Sequence, residues 1–260
     1  MLKADRHKCA HKVSVIIPTY KDDAALTGLL AQLRQLDVYE IIIVDGDGRW
    51  TPPAHMADMI NSQDQKIFWK TAPRGRGPQI VHGLANADGD QLWVLHADAQ
   101  IAANSLSEMS RILSQPNVSL GMFRLSFNRP QWAYHLFEFF ARLDTPLTSF
   151  GDQGFFFRRE DMDHLWKEIY PALNAALILE DVILRRYLKS IGDVRKSTVK
   201  IGSSPRRFER RGLWRTQIRN AKILLDAALG ASPSALYESY YGSQQTLPSH
   251  LQTSSVTVNG

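Results

Sequence analysis

The chain lacks the features of a secreted scaffold and of a membrane span. Of its 260 residues only Cys9 is a cysteine, so no intrachain disulfide can form and a disulfide framework is excluded. No run approaches the ~18 apolar residues that a bilayer crossing requires. Met1 to Lys12 is charged and has no apolar stretch of the kind that forms a secretory leader. These absences set the expectation of a cytoplasmic protein, peripheral at most on the inner face of a membrane. No internal repeat is present, which sets solenoids and propellers aside. The 31 Lys and Arg outnumber the 26 Asp and Glu, yet no recognition module accompanies them, so nucleic acid is not an expected partner. The basic excess gathers between Arg185 and Lys222 and suits an anionic ligand such as a nucleotide or a lipid phosphate.

What is present is an ordinary globular composition, 44% hydrophobic and 22% charged, on a chain long enough for one large α/β domain with an appended arm. Val13 to Pro18 predicts a buried first strand, followed by a helix through Leu26, Leu29, Leu30 and Leu33 that Asp22 or Asp23 would cap. Strands are expected at Glu40 to Val44, Lys66 to Lys70 and Gln91 to Leu95, with a short helix opened by Pro52 and Pro53 toward Ile60. Pro78 sits where a first helical turn tolerates it. Strands alternating with helices imply βαβ units and a mainly parallel sheet. Beyond Asn104, a helix-cap candidate, strands are expected at Ser119 to Phe127 and Gly154 to Phe157, around an amphipathic helix from Pro130 to Leu143. Helices follow at Glu180 to Ser190 and Gly212 to Leu229, and the Gln, Thr, Ser and Gly composition after Ser243 implies a disordered tail. The resulting division is a domain over 1–210, with a nucleotide-binding half 1–100 and an acceptor half 101–210, then a basic helical arm over 211–242 and a tail over 243–260.

Three carboxylate segments stand out: Ile43-Val44-Asp45-Gly46, His96-Ala97-Asp98 and Leu179-Glu180-Asp181. In an open α/β sheet the ligand crevice lies beyond the carboxyl ends of the strands, where an acidic side chain serves a ligand better than a core. Asp45 could accept from the imide of a uracil or the amide edge of a guanine; a turn aspartate bonded to its own backbone is the competing account. Asp98 could help hold a divalent cation whose other positions are filled by phosphate oxygens and water, since magnesium and manganese prefer oxygen ligands. His96 reads more readily as a buried, hydrogen-bonded histidine than as a metal ligand. Glu180 and Asp181 at a helix start complement the dipole, and Asp181 could also deprotonate an acceptor hydroxyl.

The loop Arg74-Gly75-Arg76-Gly77-Pro78-Gln79 follows a strand and opens a helix. It departs from a dinucleotide fingerprint at Ile80, but backbone donors and arginine forks there suit a pyrophosphate. Trp214, Ile218, Ala221, Leu225 and Ala228 share helical spacing, with Arg215, Arg219 and Lys222 elsewhere around the helix. Such a helix either packs on its own domain or lies on an anionic membrane. Trp132, Leu136, Phe139, Phe140 and Leu143 form a second stripe, open to core packing or to a homodimer contact.

The order of these motifs resembles family-two glycosyltransferases of the GT-A fold. Val13-Ser14-Val15-Ile16-Ile17-Pro18-Thr19-Tyr20 looks like their opening strand, and His96-Ala97-Asp98 sits where they carry Asp-x-Asp. A soluble bacterial subgroup with a His-Ala-Asp metal motif fits better still, through Gly151-Asp152-Gln153 and Arg206-Arg207-Phe208. The resemblance implies a GT-A-like (Rossmann-like) α/β fold, a mainly parallel central sheet flanked by helices with a C-terminal helical arm. It implies that Pro18, Tyr20, Asp45, Arg74, Arg76, Gly77, Asp98, Arg206 and Arg207 bind the nucleotide sugar, and that Asp98 binds Mn2+ or Mg2+. Asp152 and Gln153 would lie on the acceptor side, and the Glu180-Asp181 pair would hold the catalytic base, Asp181. The implied reaction moves a sugar, with inversion, from a nucleotide-diphosphate donor to a hydroxyl of a saccharide, lipid-linked or small-molecule acceptor, in cell-envelope polysaccharide or glycolipid biosynthesis. A sugar-phosphate nucleotidyltransferase is the alternative, but it wants a glycine-rich loop directly after the first strand, where Lys21-Asp22 follow Tyr20. A catalytically silent nucleotide-binding protein is another.

Overall fold

The computed structural model describes residues 11–62, 65–127, 138–139, 142, 145, 148–149, 151–203 and 213–241. Its centre is a seven-stranded sheet in the order β3-β2-β1-β4-β6-β5-β7. The strands are β1 Val13–Thr19, β2 Glu40–Asp45, β3 Ile67–Thr71, β4 Gln91–Val94, β5 Val118–Ser126, β6 Phe155–Arg158 and β7 Asp193–Gly202. β1 pairs in parallel with β2 and β4, β2 with β3, and β5 with β7, while β6 runs antiparallel to both β4 and β5. The expected mainly parallel sheet is therefore observed, with β6 alone reversed.

β1 and β2 are buried along their whole length. This is why they read as unbroken apolar runs instead of alternating ones, as strands covered on both faces do. Helices α1 Asp23–Leu33, α2 Ala54–Ile60 and α4 Ser105–Leu113 cover one face, on which Val15, Ile17, Ile41 and Ile43 meet Leu26, Leu30, Met56 and Met109. Helices α3 Arg76–Ala85, α5 Arg159–Asn174 and α6 Glu180–Ile191 cover the other, where Ile16, Ile42 and Val44 meet Ile80, Leu84, Ile169 and Leu188. Each such side chain contributes about 1.5–3 kcal/mol when withdrawn from water. The C-terminal segment forms a hairpin of α7 Leu213–Ala228 and α8 Pro233–Tyr241.

Several expected boundaries shift. Asp22 and Asn104 occupy the N-cap positions of α1 and α4, but neither side chain makes a capping bond. Helix α5, strand β7 and helix α8 were not anticipated from periodicity. The expected Pro130–Leu143 helix and the tail from 243 lie outside the described residues, except for Glu138, Phe139 and Arg142.

The chain passes β1, β2 and β3 in one direction with α1 and α2 on one face. It then crosses the other face through α3 and adds β4 on the opposite side of β1. Strand order reverses between β1 and β4, and the carboxyl ends of the strands at such a reversal are where open α/β sheets form their ligand crevice.

Candidate active site

Two corners of this crevice are built from different chemistry. At the ends of β1, β2 and β3, Thr19, Asp45 and Thr71 are register neighbours. Asp45 is fully buried, and its acceptors are all used. Oδ2 accepts from the backbone amides of Asp47 at 2.9 Å and Arg49 at 3.0 Å. Oδ1 accepts from Arg49 Nε at 3.1 Å and Nη2 at 2.7 Å. Arg49 Nη1 donates to Asp23 Oδ2 at 2.9 Å, and its guanidinium lies 5.5 Å from the Trp69 ring centre. The hydrogen bonds it donates to Asp23 and Asp45 hold that guanidinium protonated beyond its ordinary range. Trp69 Nε1 and Thr71 Oγ1 donate to the Arg49 carbonyl at 2.8 and 2.6 Å, which closes the loop on itself. From the opposite face, Gln79 Nε2 donates to the carbonyls of Thr19 and Val44, tying the two strand ends together.

The second corner joins the segments after β3, after β4 and before β6 to the start of α6. Arg76 Nε pairs with Glu180 Oε1 at 2.9 Å, and its Nη2 lies 2.9 Å from His96 Nδ1. The same Nδ1 faces Asp152 Oδ1. One ring nitrogen cannot serve both neighbours: unprotonated it accepts from Arg76, protonated it donates to Asp152. The Gly151 amide donates to Asp181 Oδ2 at 2.9 Å, and the Val182 amide is 2.8 Å from Asp181 Oδ1. A Cβ on Gly151 would lie 2.8 Å from His96 Nε2, so glycine is what lets the imidazole approach this turn. Leu179, immediately before Glu180, holds φ at 64°, a left-handed conformation costing roughly 1–2 kcal/mol in a side chain of this kind. The surrounding fold imposes that strain exactly where α6 begins to present its carboxylates.

Electrostatics distinguish these acids. Burial raises the proton affinity of Glu180, and the Arg76 guanidinium opposes that rise. Burial also raises Asp98, as do the charges of Asp152 and Asp22, with His96 pulling the other way. Among the described residues no group of three or more His, Cys, Asp or Glu could hold a metal ion unaided. A single carboxylate completed by diphosphate oxygens and water is still within the donor set of Mg2+ or Mn2+.

Of the residues singled out from sequence, Asp45 ends β2 in the first corner, and Arg76, Asp98, Asp152, Glu180 and Asp181 belong to the second. Pro18 is buried in β1. Tyr20 lies under the Arg74 guanidinium at 4.4 Å, and Arg74 also approaches the Tyr237 ring of α8 at 5.9 Å, so the C-terminal hairpin reaches this loop. Gly77 does not offer the free amide expected of a phosphate cradle: its N–H donates to the Ala176 carbonyl at 3.0 Å. A Cβ there would lie 2.0 Å from the Leu173 carbonyl, so this glycine serves close packing of α3 on the end of α5. Gln153 is buried and donates to the Thr148 carbonyl. Arg206 and Arg207 lie outside the described residues. Sequence reasoning passed over Arg49 and Gln79 as site residues. Only the basic residue inside a turn of small and acidic ones, and a buried-length amide in the α3 pattern, could have flagged them.

The Glycosyl transferase family 2 model matches residues 14–180. Among curated proteins, a dolichol-phosphate mannosyltransferase of Pyrococcus furiosus is 32% identical over 93 residues, 34% of this chain and 26% of its own length. An undecaprenyl-phosphate 4-deoxy-4-formamido-L-arabinose transferase of Proteus mirabilis is 31% identical over 111 residues, 40% of this chain and 33% of its own length. The alignments thus span a third or less of those relatives. The mannosyltransferase PcManGT from Pyrobaculum calidifontis, solved with GDP-Man and Mn2+, superposes with a TM-score of 0.61 at 19% identity, over 88% of this chain and 69% of that one. That match is one of fold, and it agrees with the GT-A-like sheet. The family model spans well over half of the sequence and contains every described carboxylate of the crevice except Asp181, the residue that follows its last position; by that match the chain belongs to glycosyl transferase family 2.

Proposed function

We propose that the chain transfers a sugar from a nucleotide-diphosphate donor to an acceptor hydroxyl, inverting the anomeric carbon, with Asp181 as general base. The observation that carries this reading is the hydrogen bond from the Gly151 amide to Asp181 Oδ2, beside His96 and the Arg76–Glu180 pair. It sets a carboxylate at the start of α6 against the turn before β6, next to His96, which follows β4. Asp181 is only partly buried, so an acceptor can reach it.

In the proposed step Asp181 takes the hydroxyl proton while the oxygen attacks the anomeric carbon. The bond from that carbon to the diphosphate oxygen breaks on the opposite side, and the nucleoside diphosphate departs with the bonding pair. Arg76, anchored by Glu180, keeps the donor loop and the base helix in one register. Asp98 would hold Mn2+ or Mg2+, which when bound supplies positive charge to the leaving diphosphate. The burial of Asp98, with Asp152 and Asp22 also raising its proton affinity, supports that assignment, because a cation would favour its charged form. The relatives' lipid-phosphate names support an acceptor carried on a lipid. Leu225 and Leu229, exposed on or beside α7, support its approach from a membrane surface; no helix among the described residues is long and apolar enough to cross one.

A panel of nucleotide sugars, monitored for released nucleoside diphosphate with and without chelator, tests the reading. Release with one donor, abolished by chelator and restored by Mn2+ or Mg2+, is the expected result. Binding without release under every condition would leave a silent nucleotide-binding protein instead.

A further inference from the structure

Strand β7 sends successive side chains to opposite faces of the sheet. On one face Ser197 Oγ donates to Glu108 of α4 at 2.6 Å. Lys196 is the register partner of Met122 in β5, so the two share the other face, where Met122 packs with Leu184 and Leu188 of α6. Lys196 is partly buried, and its Nζ donates to the Thr148 carbonyl at 3.0 Å. Gln153, itself fully buried, donates from Nε2 to the same carbonyl at 3.0 Å. A carbonyl oxygen has two lone pairs, and these two donors match them. One donor comes from within the segment, the other from a strand 48 residues further along. The segment runs into the single turn Gly151–Gln153, closed by the Gly154 amide on the Gly151 carbonyl at 3.0 Å. That turn carries the Gly151 amide that holds Asp181 Oδ2.

We infer that Lys196 is a positioning residue for the general base: by holding the Thr148 carbonyl it fixes the turn whose Gly151 amide keeps Asp181 in place. Gln153 bridges within the segment, whereas Lys196 bridges the segment to the sheet. The ammonium makes that bridge a charge-assisted hydrogen bond, stronger than a neutral side chain would offer. Its consequence is felt at the carboxylate. A displacement of about 1 Å in a reacting group, caused from a distance, can cost on the order of 100-fold in rate. The inference rests on the Asp181 reading above, and its test separates the two.

The nucleotide sugar that wild type turns over best in the donor panel gives kcat and KM for the full chain carrying Lys196→Met, Lys196→Arg or Arg195→Met. Lys196→Met keeps the aliphatic stem and removes the donor; its fold is checked by melting temperature. The expected result is a kcat about 10- to 100-fold lower, with donor KM within about twofold, the pattern of an interaction that matters in the transition state alone. Lys196→Arg retains a cationic donor and recovers much of the loss. Arg195, the neighbouring cation, is exposed and pairs with Asp193 at 3.2 Å, so Arg195→Met stays within about twofold of wild type, as an exposed pair should. Hydrogen–deuterium exchange reads the same bridge without turnover: the Gly151 and Gly154 amides exchange faster in Lys196→Met, while those of β1 and β2 hold. Lys196→Met with wild-type kcat, or with KM raised and kcat held, overturns the role of Lys196 and leaves the transferase reading standing. Unchanged exchange at Gly151 overturns it equally. A matching loss in Arg195→Met does so too, by making the charge of the strand the cause. Wild type releasing nucleoside diphosphate from no donor overturns the transferase reading and, with it, any part for Lys196 in catalysis.

Discussion

The two corners of the crevice solve opposite electrostatic problems. Around Asp45 every charge has a partner: one guanidinium sits between two carboxylates, and the loop that carries it is closed by Trp69 and Thr71. Around Asp98 the acids crowd one another, and a single histidine nitrogen faces both an arginine and an aspartate. Removing one charge of the paired corner exposes the desolvation cost of the buried Asp45. The second corner carries the proposed base, Asp181, at the start of α6. Substitutions in the first should therefore cost stability, and those in the second activity.

Asp181→Asn gives the largest effect expected. Sugar transfer falls about 100- to 10,000-fold, the contribution typical of a positioned general base. Melting temperature and donor affinity hold, because the amide keeps an oxygen for the Gly151 N–H. A variant that loses stability instead would erase the contrast between the corners.

Arg49→Ala tests the other side. It strands the buried Asp45 charge, so chemical denaturation should report a loss of about 3–5 kcal/mol, the range for breaking one partner of a buried pair. A loss below about 1 kcal/mol would mean that this corner behaves as a surface pair. Gly151→Ala returns to the reacting corner. Its Cβ would press on His96 Nε2 and shift the turn whose amide binds Asp181, lowering kcat by up to about 100-fold, with partial recovery when His96 is also made Ala.

A control away from the crevice sharpens the comparison. Glu108 on α4 accepts from Arg111 and from Ser197 of β7, and the Arg111 bond is the main cause that pulls its carboxyl down from 4.5 to about 2. A lowered folded-state value means stability that is present above about pH 4.5 and is lost as pH falls toward 2. Arg111 is largely exposed, which reduces the contribution to about 1–2 kcal/mol. Denaturation at pH 7 and pH 3 should show that difference in wild type and a smaller one in Glu108→Gln. The smallest effect belongs to Trp69→Phe, which removes one hydrogen bond to the Arg49 carbonyl and costs about 1 kcal/mol; a thermal melt reads it.

Much of the frame was legible before any coordinates. β1 and β2 announce themselves because strands buried on both faces carry uninterrupted apolar runs. The start of α6 at Glu180 shows as acidic residues ahead of an apolar stripe. The later elements were hidden for physical reasons. β7 alternates buried and exposed residues only loosely, carries Arg195, Lys196 and Lys200, and is held as a strand by pairing with β5 some seventy residues away. α5 contains Pro171 and a polar surface, so its periodicity is broken near the end that receives Gly77.

The sequence by itself determined the βαβ order, the two apolar faces of the sheet and the identity of the acids at its edge, because those depend on residue type and short spacing alone. Tertiary structure decided which of the acids are spent and which face the crevice. Asp45 meets Arg49, Asp181 meets the Gly151 amide, and Arg76 meets Glu180 only once the loops are brought together. The state of a buried charge is set by what lies within a few ångströms of it, and those neighbours come from strands and loops far apart along the chain.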